Sequence, residues 1–195
     1  LVPKPHANAT MLATFTGVRS AVDAVSELIR RRVVPAALEL IDSDSLKAIE
    51  DNLGGGFVPR GTTAALIVEV DGTPRGAEED LDRVVDACRS VGATEISRAR
   101  DEAERDRIWS LRRQTSAALK ATGLVKINHD VVVPKGRVPE LFDVIAEMKR
   151  AYGLRVASFG HAGDGNIHVN LLITPGDTDE AARAKQAERF LFVRR

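Results

Sequence analysis

The sequence predicts an α+β fold made of two successive halves. Two kinds of segment follow each other along the chain. In one, apolar and polar residues alternate, as in half-buried strands; in the other, apolar residues recur at helical intervals. The first half reads as four strands separated by three helices. The second half opens with a long helix and continues with a strand, a helix, a hairpin and a helix. Because each element buries one face, we expect strands and helices to form separate layers.

In the first half, strands are predicted at residues 11–15, 37–41, 64–70 and 94–97. The helices between them begin at Ser20, at a cap formed by Asp42 or Ser43, and near Ala77. The last helix ends before Gly92. The first of these helices has an apolar face made of Val22, Val25 and Ile29. The third has one made of Leu81, Val84, Val85 and Cys88. The run Gly54-Gly55-Gly56 predicts a flexible loop.

In the second half, Asp101 and Glu104 stand at capping-box spacing before the longest predicted helix. Its apolar stripe comprises Ile108, Leu111, Thr115, Ala118, Leu119 and Thr122. A strand over residues 126–133 is stopped by Pro134, and Pro139 starts the next helix. That helix buries Leu141, Val144, Ile145 and Met148. Strands over residues 155–159 and 167–173 flank a glycine-rich turn, and a charged helix follows from about Thr178.

Composition excludes several classes of function. Lysine plus arginine equals aspartate plus glutamate at 28 each, so no net field attracts nucleic acid or anionic lipid. No apolar run approaches the roughly 20 residues that span a bilayer, so no transmembrane segment is predicted. The single cysteine, Cys88, lies at an apolar helical position and predicts a buried thiol in a cytoplasmic protein. The abrupt start without methionine leads us to expect a piece of a longer protein.

The chemistry of the chain concentrates in the turn over residues 159–170, FGHAGDGNIHVN, which holds two of the four histidines. Imidazole is a common metal ligand and the usual proton carrier near neutral pH. Period-two alternation sends Ile167 and Val169 to one sheet face and His168 and Asn170 to the other. His161 stands at the mouth of the incoming strand, and the glycines allow the turn to fold both imidazoles toward one point.

Two interpretations of this turn follow from spacing alone. In the first, His161 and His168 belong to a metal site, which needs a third ligand from elsewhere because catalytic zinc usually has three protein ligands. In the second, Asp164-Gly165 is ordinary hairpin chemistry and both histidines are surface residues. The second explains the glycines well. It explains less well why two histidines and Asn170 accompany them.

The run His161-Ala-Gly-Asp-Gly-Asn-Ile-His168, followed by Asn170, resembles the H-x-G-D-G-N-hydrophobic-H motif of the FAD-linked oxidase C-terminal domain. That domain occurs in glycolate oxidases, D-lactate dehydrogenases and D-2-hydroxyglutarate dehydrogenases. Three further segments agree in the same order: PAALELID at 35–42, IWSLRR at 108–113 and DVVVP at 130–134. The resemblance therefore covers nearly the whole chain.

The resemblance implies two ferredoxin-like subdomains, with antiparallel sheets and helices packed on one face. They would occupy residues 1–99 and 100–195, the second being incomplete at its C-terminal end. It also implies an N-terminal FAD-binding domain that is absent from this sequence and would hold most of the FAD. The chain itself has no G-x-G-x-x-G after a strand that would form an alternative dinucleotide site.

The resemblance also assigns roles to matching residues. His161 and His168 would ligate a divalent metal, with zinc expected, that polarises the substrate. Arg112 would pair with a substrate carboxylate, for which its planar fork is suited, although a solvated arginine on a long helix is the competing interpretation. Ser116, one helical turn later, and Asn170 would also contact substrate.

This chain departs from the family pattern in two places. Relatives take the third metal ligand and a catalytic histidine from a glutamate-histidine-glycine segment after the final helix, and this sequence has none. No catalytic residue is therefore assigned to this chain. The substrate lysine found in some relatives would fall on Asn128. Lys126 and His129 lie nearby, and exposed strand residues are the simpler interpretation of both.

The expected parent is an FAD-dependent dehydrogenase or oxidase of a D-2-hydroxy acid, of the glycolate oxidase or D-lactate dehydrogenase type, with hydride passing from the substrate α-carbon to flavin. The isolated chain is expected to be inactive. The hydroxy acid and the electron acceptor stay open, and electron-transfer subunits or peripheral membrane association through them are consistent with such enzymes. Two alternatives remain: a non-enzymatic ligand-sensing or assembly module, and a metal-free relative whose histidines contact substrate or flavin directly.

Overall fold

The computed structural model describes residues 6–53 and 56–193, which form seven strands and six α-helices. The strands are β1 (Ala7–Phe15), β2 (Ala37–Asp42), β3 (Ala64–Gly72), β4 (Glu95–Arg98), β5 (Val125–Val132), β6 (Arg155–His161) and β7 (Asn166–Ile173). The helices are α1 (Val18–Arg30), α2 (Ser43–Leu53), α3 (Pro74–Ser90), α4 (Glu102–Ala121), α5 (Val138–Tyr152) and α6 (Thr178–Val193). Every predicted strand and helix is present. Of the predicted glycine loop, Gly54 and Gly55 lie outside the described residues.

All seven strands belong to one antiparallel sheet in the order β4-β1-β3-β2-β6-β7-β5. The first four have the 4-1-3-2 order of a ferredoxin-like unit. In the second half β5, β7 and β6 are adjacent in the equivalent 1-3-2 order. The predicted α+β class with antiparallel ferredoxin-like pairing is confirmed. The strands of the two halves are joined edge to edge through β2 and β6.

The helices cover both faces of the sheet. The first face buries Met11, Phe15 and Leu40 against α1, α3, α5 and α6. The second face buries Leu12 and Ile41 against α2 and α4. The expectation of helices on one face holds for four of the six. The other two, α2 and α4, carry apolar stripes of their own and therefore need the second face to bury them.

The helix ends and buried faces follow local signals with one exception. The Asp101 side chain caps α4 by accepting from Glu104 N at 2.8 Å, as the spacing predicts. In α1, however, Ile29 is 42% exposed while Leu28 is buried, so the predicted inward position is wrong by one residue. Cys88 is buried in α3, and burial raises the pKa of its thiol to about 12. This supports the structural interpretation of the cysteine.

The junction between the two halves is a narrow ladder. Strands β2 and β6 pair at Glu39 with His161, Leu40 with Gly160, and Ile41 with Phe159. The chain then enters α2, and the Asp42 carboxylate continues the connection by accepting from Ser45 N at 2.9 Å and from Ser158 N at 2.7 Å. The last residue of β2 thus joins α2 and β6. None of the helices in the described part of the chain combines the length and apolar character needed to cross a bilayer.

Candidate active site

The two histidines of the glycine turn are neighbours on the second face of the sheet. His161 ends β6, His168 lies on β7, and their ring centroids are 5.8 Å apart in a T-shaped arrangement. The ring of Phe159, also on β6, lies 5.1 Å from that of His168. Residues 162–165 bring the chain back so that the two strands pair from His161 and Asn166 onward. The glycine turn therefore places the two imidazoles next to each other.

Each histidine contacts a carboxylate on the strand that flanks the β6–β7 hairpin on its side, β2 for His161 and β5 for His168. His161 Nδ1 contacts Glu39 Oε1, and His168 Nδ1 lies 2.5 Å from Asp130 Oδ1. Because a carboxylate only accepts hydrogen bonds, both Nδ1 atoms carry their proton and donate. The hydrogen bond from His168, with one from Asn128, holds the pKa of Asp130 below its usual range.

The opposite nitrogen of each ring is left available. Within the described residues, neither Nε2 has a hydrogen-bond partner. A carboxylate on Nδ1 and a free lone pair on Nε2 is the arrangement of metal-binding histidines in proteins. The donor set thus fits the chemistry of a metal ligand pair. It supplies two nitrogens, and the described part of the chain holds no group of three or more His, Cys, Asp and Glu suited to a metal ion.

Arg112 joins this group from above the sheet. Its Nε donates to Glu39 Oε2 at 2.5 Å, and its guanidinium carbon lies 4.9 Å from the centroid of Phe159. The side chain is 18% exposed. No hydrogen bond within the described residues uses its two terminal nitrogens. The fork that pairs with carboxylates is therefore unoccupied by protein groups, although the side chain is mostly buried and held at its Nε, which a freely solvated surface arginine is not.

The remaining predicted substrate contacts are engaged with the protein. Asn170 is fully buried, and its amide donates to Ala157 O at 3.0 Å and to His168 O at 3.2 Å. Its Oδ1 has no hydrogen-bond partner among the described residues. Ser116 accepts a hydrogen bond from Lys126 Nζ at 3.1 Å. Burial lowers the pKa of Lys126, and the positive charge of the nearby Lys120 lowers it further.

The two basic residues considered near the missing lysine position separate in the structure. Lys126 lies on the second face, because β5 pairs it with Leu172 of β7. His129 lies on the opposite face, where its ring meets Phe192 edge-on at 5.4 Å. Alternation along β5 enforces this difference, since the two residues are three positions apart. Lys126 therefore shares a surface with the histidine pair and His129 does not.

Gly165 of the turn is required by backbone packing, and Gly163 has little room for a side chain. A Cβ atom at Gly165, where φ is +74°, would lie 2.0 Å from Val133 O, and one at Gly163 would lie 3.2 Å from Leu38 Cβ. Val133 N also donates to Gly165 O at 2.9 Å. The turn is thus clamped against the end of β5. The hairpin interpretation explains the glycines, and the paired imidazoles are additional to it.

One cavity lies beside the start of α4 and another beside β2, and the one beside β2 reaches His161. A cavity of about 340 Å³ runs from Val34 past Ala37 to Glu39 and His161. A larger one of about 570 Å³ lies near the start of α4, beside Phe57 and Ile108, and none of the predicted site residues lines it. Volume alone would select the second. The smaller cavity is the one lined by residues of the candidate site, Glu39 and His161.

Glu39 and Asp130 are the site residues that sequence reasoning did not assign. They lie 122 and 38 positions from their histidines, so no local spacing connects them. One signal was present for Glu39, which is a carboxylate in the apolar run Leu38-Glu39-Leu40 and must have a partner if that strand is buried. Both residues belong to segments that match the family pattern.

The chain is similar to glycolate oxidase subunits and to D-lactate dehydrogenases. It is 36% identical over 189 residues to the glycolate oxidase subunit GlcD of Escherichia coli (strain K12), a match that covers 95% of this chain and 37% of the relative. With the GlcD subunit of Bacillus subtilis (strain 168) it is 31% identical over 192 residues, covering 98% and 41%. A D-lactate dehydrogenase of Anaerostipes hadrus is 26% identical, with coverage of 98% and 41%. The chain spans about two fifths of these relatives.

Solved structures share the fold at low sequence identity. p-Cresol methylhydroxylase with substrate bound has a TM-score of 0.62 at 13% identity, over 97% of this chain and 43% of that one. Alkyldihydroxyacetonephosphate synthase has a TM-score of 0.62 at 12% identity, over 96% and 39%. Residues 4–193 match the family described as FAD linked oxidases, C-terminal domain. The chain, with this shared fold and its histidine pair on the second face, belongs to the family of FAD-linked oxidase C-terminal domains.

Proposed function

We propose that this chain is the substrate-side domain of a longer FAD-dependent dehydrogenase or oxidase that acts on a D-2-hydroxy acid. The observation that carries the proposal is one surface of the sheet on which two carboxylate-held imidazoles lie beside an arginine with a free fork. Family membership and the similarity to glycolate oxidase and D-lactate dehydrogenase support the same reaction class.

The proposed roles follow from the atoms that remain available. The terminal nitrogens of Arg112 bind the substrate carboxylate bidentately, which fixes its plane. The Nε2 atoms of His161 and His168 hold a divalent metal, with zinc expected and a third ligand from outside this chain. Ser116 contacts the rest of the substrate, and Asn170, which is fully buried, contacts it only after a local movement that exposes its unpaired Oδ1. When bound, the metal supplies polarisation of the hydroxyl oxygen, which favours loss of its proton.

The chemistry also needs groups that this chain does not provide. FAD, when bound, supplies the acceptor for the hydride that leaves the substrate α-carbon. We propose that a separate N-terminal domain binds it and that the base for the hydroxyl proton lies outside these 195 residues. We also propose that the chain divides into two subdomains, residues 1–99 and 100–195. Electron-transfer subunits would accept the electrons from the flavin.

The test uses the full-length protein and three variants. We expect His161→Ala and His168→Ala each to weaken zinc or manganese binding, measured calorimetrically, and to abolish dye-linked oxidation of glycolate and D-lactate. His6→Ala, which replaces an exposed histidine near the start of the chain, serves as the control and should change neither metal binding nor turnover. Unchanged metal affinity and turnover in both site variants would remove the proposal.

Two further measurements address the alternatives. Elemental analysis of the intact protein separates a metal enzyme from one whose imidazoles contact substrate directly. Turnover by the isolated chain, without an added flavin domain, should be absent. A non-enzymatic sensing or assembly module would give no hydroxy acid oxidation in the full-length protein either.

A further inference from the structure

Two carboxylate–arginine pairs connect α4 to the sheet. Glu69 of β3 accepts from Arg105 Nε at 2.9 Å and from Arg105 Nη2 at 3.1 Å. Seven residues further along α4, Arg112 Nε donates to Glu39 of β2 at 2.5 Å. Seven residues are about two helical turns, so both arginines lie on the same side of α4. Both acids stand on the second face of the sheet.

The two acids differ in what their other contacts do. Glu69 also accepts from Thr10 Oγ1 at 2.7 Å and from Trp109 Nε1 at 2.9 Å, so its partners only fasten α4 to the first half. Glu39 gives one oxygen to Arg112 and the other to His161 Nδ1. Its side chain is 5% exposed, compared with 13% for Glu69.

We infer that Glu39 is a positioning residue that holds Arg112 and His161 in one fixed relation toward a common substrate. This inference rests on the proposed function. One oxygen fixes the guanidinium by its Nε, which leaves the terminal nitrogens as the free edge. The other keeps the His161 proton on Nδ1, which leaves the lone pair on Nε2. A single buried carboxylate thereby sets the direction of a carboxylate-binding fork and of a metal-binding nitrogen.

The competing explanation is that Glu39 only fastens α4, as Glu69 does. The substitution Glu39→Gln separates the two, because an amide has one accepting oxygen and one donating NH₂ group. With its oxygen on Arg112 Nε, the amide presents NH₂ to His161 Nδ1. That nitrogen must then accept, and its proton moves to Nε2, where it blocks the ligand position. A fastening role has no reason to move this proton.

The experiment measures the ring proton, zinc affinity and kinetics in the full-length protein. We expect ¹⁵N chemical shifts of the His161 ring to change from the Nδ1–H to the Nε2–H form in Glu39→Gln. Zinc affinity measured by calorimetry should fall by roughly 10- to 100-fold, as for other partners of metal-binding histidines. KM for glycolate or D-lactate should rise, and Glu39→Asp should recover part of the zinc affinity.

Glu69→Gln is the matched control. It removes a carboxylate of the same face that pairs with the same helix, so it should lower stability while the His161 tautomer, zinc affinity and KM stay as in the wild type. If Glu39→Gln also leaves the tautomer and zinc affinity unchanged, the inference is overturned. If His161→Ala instead leaves zinc affinity and turnover unchanged, the proposed function fails, and the tautomer measurement still decides the role of Glu39.

Discussion

At the scale of single residues, Asp42 makes stability depend on pH. Burial raises the pKa of its carboxyl to about 6, although the N–H of Ser45 acts in the opposite direction. The unfolded chain has an ordinary value of about 4. Since the folded pKa is the higher one, the protonated acid favours the folded state. Its contribution is full below about pH 4 and is lost as the pH rises through 6.

We therefore expect the free energy of unfolding of the wild type to contain a loss of about 2 kcal/mol between pH 4 and 7 that Asp42→Asn lacks. Urea unfolding of both proteins at several pH values measures the difference and cancels the titration of all other carboxylates. Parallel pH profiles for the two proteins would show that Asp42 stays ionised throughout.

Gly165 allows the steric and conformational requirements of a glycine to be separated. Gly165 and Gly123 have almost the same φ, +74° and +75°, but only Gly165 has a neighbour where a Cβ would be, Val133 O at 2.0 Å. We expect Gly123→Ala to cost roughly 1 kcal/mol, from backbone strain alone. Gly165→Ala should cost at least about 2 kcal/mol more, since buried backbone must move. Chemical denaturation compares the two, and equal losses would contradict the contact.

The histidine pair could be predicted from sequence because its two members lie seven positions apart in one hairpin. Glu39 could not, because its connection to His161 depends on which strands become neighbours in the sheet. Asp130 meets His168 for the same reason. A local pattern identifies the imidazoles, whereas the carboxylates that orient them depend on long-range strand order.

At the scale of elements, α4 carries both Arg112 and Ser116 and begins at a capped end. Asp101 accepts from Glu104 N at 2.8 Å. We expect Asp101→Ala to lower the free energy of unfolding by about 1 kcal/mol, whereas Asp101→Asn, which retains an accepting oxygen, should be close to neutral. Thermal or urea unfolding tests the pair. A loss in Asp101→Asn as large as in Asp101→Ala would mean that the charge, and not the cap, stabilises the helix.

Helices were easier to predict than the faces they bury. The cap at Asp101 and the proline at Pro139 are local signals, and both mark real helix starts within a residue or two. The face of α1 is set instead by its packing against α3 and α5, which selects Leu28 over Ile29. Periodicity gives an apolar stripe, and tertiary contacts decide which edge of that stripe is covered.

At the scale of the whole molecule, one sheet runs through both halves, so we expect them to unfold together. Trp109 is the single tryptophan, and its indole N–H donates to Glu69 across the two halves at 2.9 Å. Its fluorescence reports this contact, and far-ultraviolet circular dichroism reports all helices and strands. The two urea transitions should coincide. Separate midpoints would indicate that the halves are independent units.

The class of fold could be predicted from the order of elements, because each half follows a pattern of strands and helices that is visible in the chain. The continuous sheet could not. It depends on pairing β2 with β6, whose partners Glu39 and His161 are 122 positions apart. No periodicity in either half indicates that its edge strand will pair with the edge strand of the other half.

The narrow β2–β6 ladder has a consequence for recombining relatives of this chain. Exchanging residues 1–99 between two relatives would keep both histidines and Arg112. It would replace Glu39, the acid that orients Arg112 and His161, because Glu39 lies in the first half. A working chimera must therefore carry over matched β2 and β6 strands. The unit that can be transplanted is this pair of strands, and neither half contains it alone.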